Sequence, residues 1–196
     1  KDWMPLQVAE FLPVIPNPGK ILCIGVNYAD HQKEMGRAGS EHPTIFLRFP
    51  DTLVAHEKAA WVPRVSTMVD YECELAVVIG KAGRHIAQAH ALDHVAGYTC
   101  FNDISIRDWQ RHTSQFAPGK NFVGTGAFGP WMVTTDEIPD ISKQTIATRL
   151  NGVEVQAAPI SDLVFDVAAL IAYCSTFTEL VPGDVIVTGT TGGVGA

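Results

Sequence analysis

The stretch "VDYECELAVVIG", residues 69–80, decides how the rest of the chain is read. Its second half, Leu75 to Ile79, is apolar at every position, the mark of a strand buried on both faces. Its first half carries Asp70, Glu72 and Glu74. Side chains alternate along a strand, so Glu72 and Glu74 share a face, with Cα atoms about 6.5–7 Å apart. Two like charges at the mouth of a core repel and resist desolvation. Arginines, protons or a cation must compensate them, unless the stretch is a solvated edge with two unrelated glutamates.

The chain has 196 residues, enough for one domain with a substantial core. With 46% hydrophobic and 18% charged residues it is globular in composition. A net charge of −7 and the lack of a Lys/Arg cluster argue against a nucleic-acid surface. Cys23, Cys73, Cys100 and Cys174 are far apart, each in an apolar stretch. That pattern suits buried free thiols better than disulfides or a zinc site, and it fits a reducing, cytoplasmic setting. The longest apolar run, "VFDVAALIAYC", contains Asp166 and is too short to span a bilayer, so no membrane association is expected. The first residues carry no signal pattern. The chain starts without Met and stops after "TGTTGGVGA", so both ends read as incomplete.

Residues 1–19 are Pro-rich and read as an extended lead-in; residues 20–196 read as a single catalytic domain without repeat or linker. Strands are expected over 20–28, 44–49, 69–80, 96–105 and in the closing "GDVIVTGT". Short helices are expected over 29–39 and 86–95, with one or two helical turns in "IRDWQRH". Residues 116–130 read as Gly-rich loop before the strand "WMVTT". Asn151-Gly152 is a type I′ turn signal between alternating apolar residues, which predicts a hairpin over 145–156. "DVAALIAYCSTF" is the strongest helix, with Asp166 as its N-cap. Strands outnumber helices without regular βαβ alternation, which points to an α+β fold with a mixed, β-rich sheet.

A third acid, Asp103, ends the strand "YTCFNDIS". Three carboxylates at strand ends, without a His or Cys partner nearby, suit a hard cation such as Mg²⁺, Mn²⁺ or Ca²⁺. An Asp in this place also caps helices. His31 and Glu34 in "NYADHQKE" stand three apart on one face of a helix, where a carboxylate can orient a general base. An exposed polar helix gives the same pattern.

In this order "DYECELAVVIG", "GYTCFNDIS" with "RDWQ", "PGKNF", "FGPW", "LNG" and "TGTTGGVG" resemble the fumarylacetoacetate hydrolase family. The resemblance runs from about residue 20 to the C-terminus. It implies a β-rich α+β fold, a homodimer or larger oligomer, and a Mg²⁺ or Mn²⁺ ion held by Glu72, Glu74 and Asp103. It implies small 2-oxo acid substrates, with His31 and Glu34 as a water-activating pair on a mobile lid and Lys120 beside a substrate oxygen. Arg107 and Gln110 match positions that line the site, and Thr190 matches a threonine that binds the substrate carboxylate. Arg107 could equally form a surface salt bridge with Asp108 or Glu74. Arg48 is offered as a further carboxylate partner, and Asp70 as a supporting loop residue. The other six histidines show no ligand spacing.

The leading expectation is metal-dependent hydrolysis of the C–C bond in acylpyruvate-like diketo acids through a pyruvate enolate. A dication and a nearby Lys would stabilise the charge on the keto oxygen. The alternatives are a 2-oxo acid decarboxylase or isomerase on the same site, or a metal-binding scaffold without activity. Two departures stand out: "KNFVG" lacks the Asp of the family's K-S-F-D, and "TGTTGGVG" lacks a proline. A further strand segment is expected beyond Ala196.

Overall fold

The computed structural model describes residues 10–34 and 40–195. The first nine residues of the expected lead-in and the 35–39 part of the expected lid lie outside that range. The described residues form eleven strands: β1 (Ile21–Gly25), β2 (Thr44–Arg48), β3 (Leu53–Val54), β4 (Val69–Asp70), β5 (Cys73–Ile79), β6 (Val95–Asp103), β7 (Ser105–Ile106), β8 (Gly126–Thr134), β9 (Thr145–Leu150), β10 (Val153–Pro159) and β11 (Val185–Thr190). The α-helices are α1 (Ala29–Glu34), α2 (Arg107–Gln110), α3 (Ala117–Lys120) and α4 (Val167–Phe177).

Seven strands form one sheet in the order β2-β1-β11-β5-β6-β8-β3. The β1–β11 and β3–β8 pairs are parallel and the rest antiparallel, so the sheet is mixed, as an α+β fold predicts. All seven residues of β5 are buried, which explains the unbroken apolar run from Leu75 to Ile79. Their alternation splits the core in two. Cys73, Leu75, Val77 and Ile79 meet Leu170, Ile171 and Cys174 of α4. Ala76 and Val78 face Phe101, Phe128, Val185 and Val187 on the other side. Glu74 belongs to that second face, and so does Asp103, two residues beyond Phe101 on β6.

The stretch 69–80 is two strands rather than one. The chain leaves the ladder at Tyr71 and Glu72, and β4 pairs instead with β7. Side-chain acceptors take the place of the ladder there: the Tyr71 N–H donates to Asp70 Oδ1 at 2.9 Å, and the Glu72 N–H to Asn102 Oδ1 at 3.0 Å. The segment 116–130 is also less of a loop than its glycines suggest. It contains α3, and its last five residues open β8, where Phe128 pairs with Phe101 of β6. Cross-strand burial here overrides weak strand propensity. Residues 88–94 form a 3₁₀ helix, entered from Ala87, which offers no capping oxygen. Cys100 is exposed, against the expectation that all four thiols are buried; all four are free.

The hairpin and the long helix follow their sequence signals. Asn151 and Gly152 both have positive φ, 51° and 83°, as a type I′ turn requires. Asp166 accepts from the Ala169 N–H at 2.7 Å and caps α4. No described helix is long and apolar enough to cross a membrane. Truncating the cap by Asp166→Ala should cost about 1 kcal/mol of stability. Leu170→Ala, which empties a fully buried position of α4, should cost about 2–5 kcal/mol. Denaturant unfolding at fixed protein concentration measures both; equal losses would show that α4 is not held mainly by its core face.

Candidate active site

Glu74 stands opposite Phe101 on β6 and Thr190 on β11. Glu72 precedes β5, and its carbonyl accepts from the Asp103 N–H at 3.0 Å, so the two acids meet where β5 and β6 end. One carboxylate oxygen from each of Glu72, Glu74 and Asp103 lies within 4.8 Å of the others, and all three residues are buried. The three acids singled out in the sequence are therefore one cluster.

Cations surround it. Lys120 Nζ lies 2.6 Å from Glu72 Oε2 and 2.7 Å from Asp103 Oδ2, at 1% exposure. Arg107 Nη1 donates to Glu72 Oε1 at 2.5 Å and to Gln110 Oε1 at 2.9 Å, while its Nε donates to Asp70 Oδ2 at 2.7 Å. Arg107 is thus buried among Asp70 and Glu72, and does not form the surface bridge to Asp108 or Glu74. Arg48 lies deeper. Its Nη1 donates to Asp103 Oδ1 and its Nη2 to Thr125 Oγ1 at 2.7 Å. It does not line the cavity, so its guanidinium anchors an acid of the cluster and is not free for a substrate carboxylate.

The local backbone makes this possible. Gly189 has a φ of +100°, and a Cβ there would lie 2.8 Å from that of Asn27. Its N–H donates to Glu74 Oε2 at 2.5 Å. Gly119 lets α3 press on α2, since a Cβ there would come within 2.4 Å of the Gln110 nitrogen; that approach carries Lys120 to the acids.

The charges shift one another. Burial opposes ionisation of Glu72, but Lys120 and Arg107 outweigh it and hold that carboxyl below the usual range. Burial together with the charges of Asp103 and Glu72 pushes Glu74 well above it. Burial works against the Lys120 ammonium too, and Asp103, Glu72 and Glu74 overcome it and raise its pKa. In this cluster, among the described residues, Asp70, Glu72, Glu74 and Asp103 face the buried cations Arg48, Arg107 and Lys120, four carboxylates to three cations. Fully ionised, the cluster carries one uncompensated negative charge, and the surroundings of Glu74 disfavour it there. Oxygen donors with a surplus negative charge fit a hard divalent cation.

A cavity of about 500 Å³ opens onto this cluster. Glu72, Arg107, Gln110, Lys120 and Thr190 line it, and so does His31. His31 is buried, with Nδ1 3.3 Å from Glu34 Oε2. Glu34 in turn accepts from the Gly193 N–H at 3.2 Å, which ties α1 to the C-terminal glycine loop. Thr190 Oγ1 accepts from Gln156 Nε2 at 2.9 Å.

Two residues of this arrangement were not expected. Buried Gln156 sits at a bulge in the β9–β10 pairing and ties Thr190 and Thr191 to the Cys73 N–H beside the acids. Buried Asn27 bonds Phe165 and Thr188 and fixes the entry to α1. Gln156 lies on a hairpin strand read only as alternating, and Asn27 inside a motif read for His31 and Glu34, so neither carried a signal of its own.

The family model described as "Fumarylacetoacetate (FAA) hydrolase C-terminal" matches residues 20–196. The chain belongs to the fumarylacetoacetate hydrolase family. Among its relatives is the human mitochondrial oxaloacetate tautomerase FAHD2A, 42% identical over 194 residues, which cover 98% of this chain and 62% of that protein. Among solved structures it is similar to 2-hydroxyhepta-2,4-diene-1,7-dioate isomerase from Mycobacterium marinum, at 33% identity and a TM-score of 0.87, covering 98% of this chain and 71% of that one. It is also similar to fumarylpyruvate hydrolase from Pseudomonas aeruginosa in complex with Mn²⁺ and pyruvate: 32% identity, TM-score 0.82, 90% of this chain and 79% of that one. The chain thus spans less than two thirds of the human relative and more of the two solved proteins.

The raised Glu74 gives a pH test with a definite sign. By itself a carboxyl with a raised pKa stabilises the metal-free fold at low pH, and that contribution is lost as pH rises through the shifted value. Binding a divalent cation requires the carboxylate, so below the shifted pKa it should release a proton, and it should tighten as pH rises. Titration calorimetry in two buffers of different ionisation enthalpy measures the release. Glu74→Gln should abolish it; release undiminished in that variant would place the proton elsewhere.

Proposed function

We propose that the protein is a divalent-metal-dependent enzyme acting on small 2-oxo acids, and that its reaction is keto–enol tautomerisation of an oxaloacetate-type acid. The observation that carries this reading is the acidic cluster of Glu72, Glu74 and Asp103 beside a cavity that Glu72, Lys120 and His31 line. The likeness to oxaloacetate tautomerases supports the choice of reaction.

Tautomerisation moves one proton between C3 and the keto oxygen, and the negative charge passes through that oxygen. Lys120, kept protonated by the surrounding acids, offers an N–H to it. His31, oriented by Glu34, offers a base or acid for the C3 proton. Thr190, fixed by Gln156, offers a hydroxyl to the substrate carboxylate. A bound Mg²⁺ or Mn²⁺ would supply a Lewis acid that draws charge from the keto oxygen.

The second reading is hydrolysis of an acylpyruvate C–C bond, which develops the same charge and in addition needs a water activated by His31. The His31–Glu34 pair and the likeness to a fumarylpyruvate hydrolase favour it. Decarboxylation of a 2-oxo acid, or isomerisation of an unsaturated 2-hydroxy diacid, would draw on the same groups.

A panel with Mg²⁺ separates these. Enol loss from oxaloacetate above the spontaneous rate, without pyruvate release from acylpyruvates, is the expected result; pyruvate release as the main activity would replace tautomerisation by hydrolysis. His31→Ala should slow the reaction by about 10²–10⁴-fold. Lys120→Ala should slow turnover of every substrate, and full activity in that variant would overturn its role.

We further propose a homodimer. Phe49, Trp61 and Val123 are exposed around the 121–124 loop, and apolar side chains grouped on a surface in this way mark a protein contact. Sedimentation equilibrium should give twice the chain mass, and Trp61→Asp should lower it. A monomer at all concentrations would refute this.

A further inference from the structure

Arg111 follows the last residue of α2 and lines the same cavity as Arg107. Residues four apart on a helical turn share a face, with Cβ atoms about 5–6 Å apart, so the two guanidinium groups reach the cavity from neighbouring points. They differ in what they hold. Arg107 is buried and engaged by Asp70, Glu72 and Gln110. Lys120 is engaged by Glu72 and Asp103. Arg111 is exposed, and among the described residues its guanidinium has no partner. The acid nearest to it in sequence, Asp108, accepts from Ser66 Oγ at 2.7 Å instead.

The wall continues through Thr113 and Ser114. Thr113 Oγ1 accepts from the Gln115 N–H at 3.1 Å, while the exposed Ser114 hydroxyl has no partner among the described residues. Much of the remaining wall is apolar: Ile24, Val26, Phe46 and Phe116. A ligand whose 2-oxo acid head sits at the acidic cluster and Lys120 therefore has, among the described residues that line the cavity, one arginine or lysine free for a second negative charge. The guanidinium fork matches a carboxylate in shape, and the apolar wall would leave such a group unpaired anywhere else.

We propose that Arg111, with the Ser114 hydroxyl, receives the far carboxylate of a 2-oxo dicarboxylic acid, so that the site selects 2-oxo diacids over 2-oxo monoacids. The proposal rests on the reading of the cavity as a 2-oxo acid site. It adds a specificity residue whose position is decided by the loop after α2.

The test compares two unreactive ligands with the same oxalyl head, N-oxalylglycine and N-ethyloxamate, which differ in bearing a carboxylate or a methyl at the far end. Their affinities are measured by calorimetry on the Mg²⁺-saturated protein. The wild type should prefer the diacid by about 10-fold or more, the worth of one charge-assisted contact. Arg111→Ala should bring the ratio close to one, and Arg111→Lys should retain part of it, having the charge without the fork. Circular dichroism confirms that both variants fold. Equal affinities in the wild type, or an undiminished preference in Arg111→Ala, would overturn the Arg111 subsite alone. Failure of both ligands to bind would overturn the 2-oxo acid reading and the subsite with it.

Discussion

Four carboxylates share one buried cluster with three cations, and the need to compensate those charges governs the structure around them. An ion taken out of water loses several kcal/mol of solvation, which only close partners of opposite charge can offset. The partners here come from separate pieces of chain: Arg48 from β2, Asp70 from β4, Glu74 from β5, Asp103 from β6, Arg107 from α2 and Lys120 from α3. Each ion pair therefore closes a long loop. The strand break at Tyr71–Glu72, the close approach at Gly119 and the left-handed backbone at Gly189 all follow from bringing these groups together.

The compensation is incomplete, and that is its chemical content. Glu72 has two cations and is held in its charged form, while Glu74 has a backbone N–H and two like-charged neighbours and is not. Two carboxyls two residues apart are thus driven in opposite directions by their surroundings, a separation typical of working sites. The low dielectric that makes the arrangement costly also strengthens what each charge does to a substrate oxygen. On the cavity's other wall, Glu34 joins His31 to the Gly193 N–H, so the same carboxylate that orients the imidazole also holds α1 against the glycine loop.

Much of this was legible in the chain. The unbroken apolar run from Leu75 to Ile79 specified a strand covered on both faces, because no half-exposed strand tolerates that pattern. Asn151-Gly152 specified its turn, because few residues adopt positive φ twice in succession. Asp166 specified the start of α4 through a local hydrogen bond. The resemblance carried by the E-x-E, N-D-x-S and P-G-K stretches singled out the residues that now line the cavity or form the acidic cluster.

What the sequence determined by itself is whatever depends on neighbours a few residues away: periodicity, turns, caps and the chemical type of the site's side chains. The tertiary structure alone decided how the charges pair. Sequence spacing gave Arg107 the choice of Asp108, Glu74 or a substrate, and folding gave it Asp70 and Glu72; Arg48 became an anchor for Asp103. Gln156 and Asn27 gained their roles only when distant strands met. The physical reason is range. Backbone and capping preferences act within about a turn of chain, whereas Coulomb forces and desolvation depend on which segments the sheet order brings together, a quantity that local sequence does not encode.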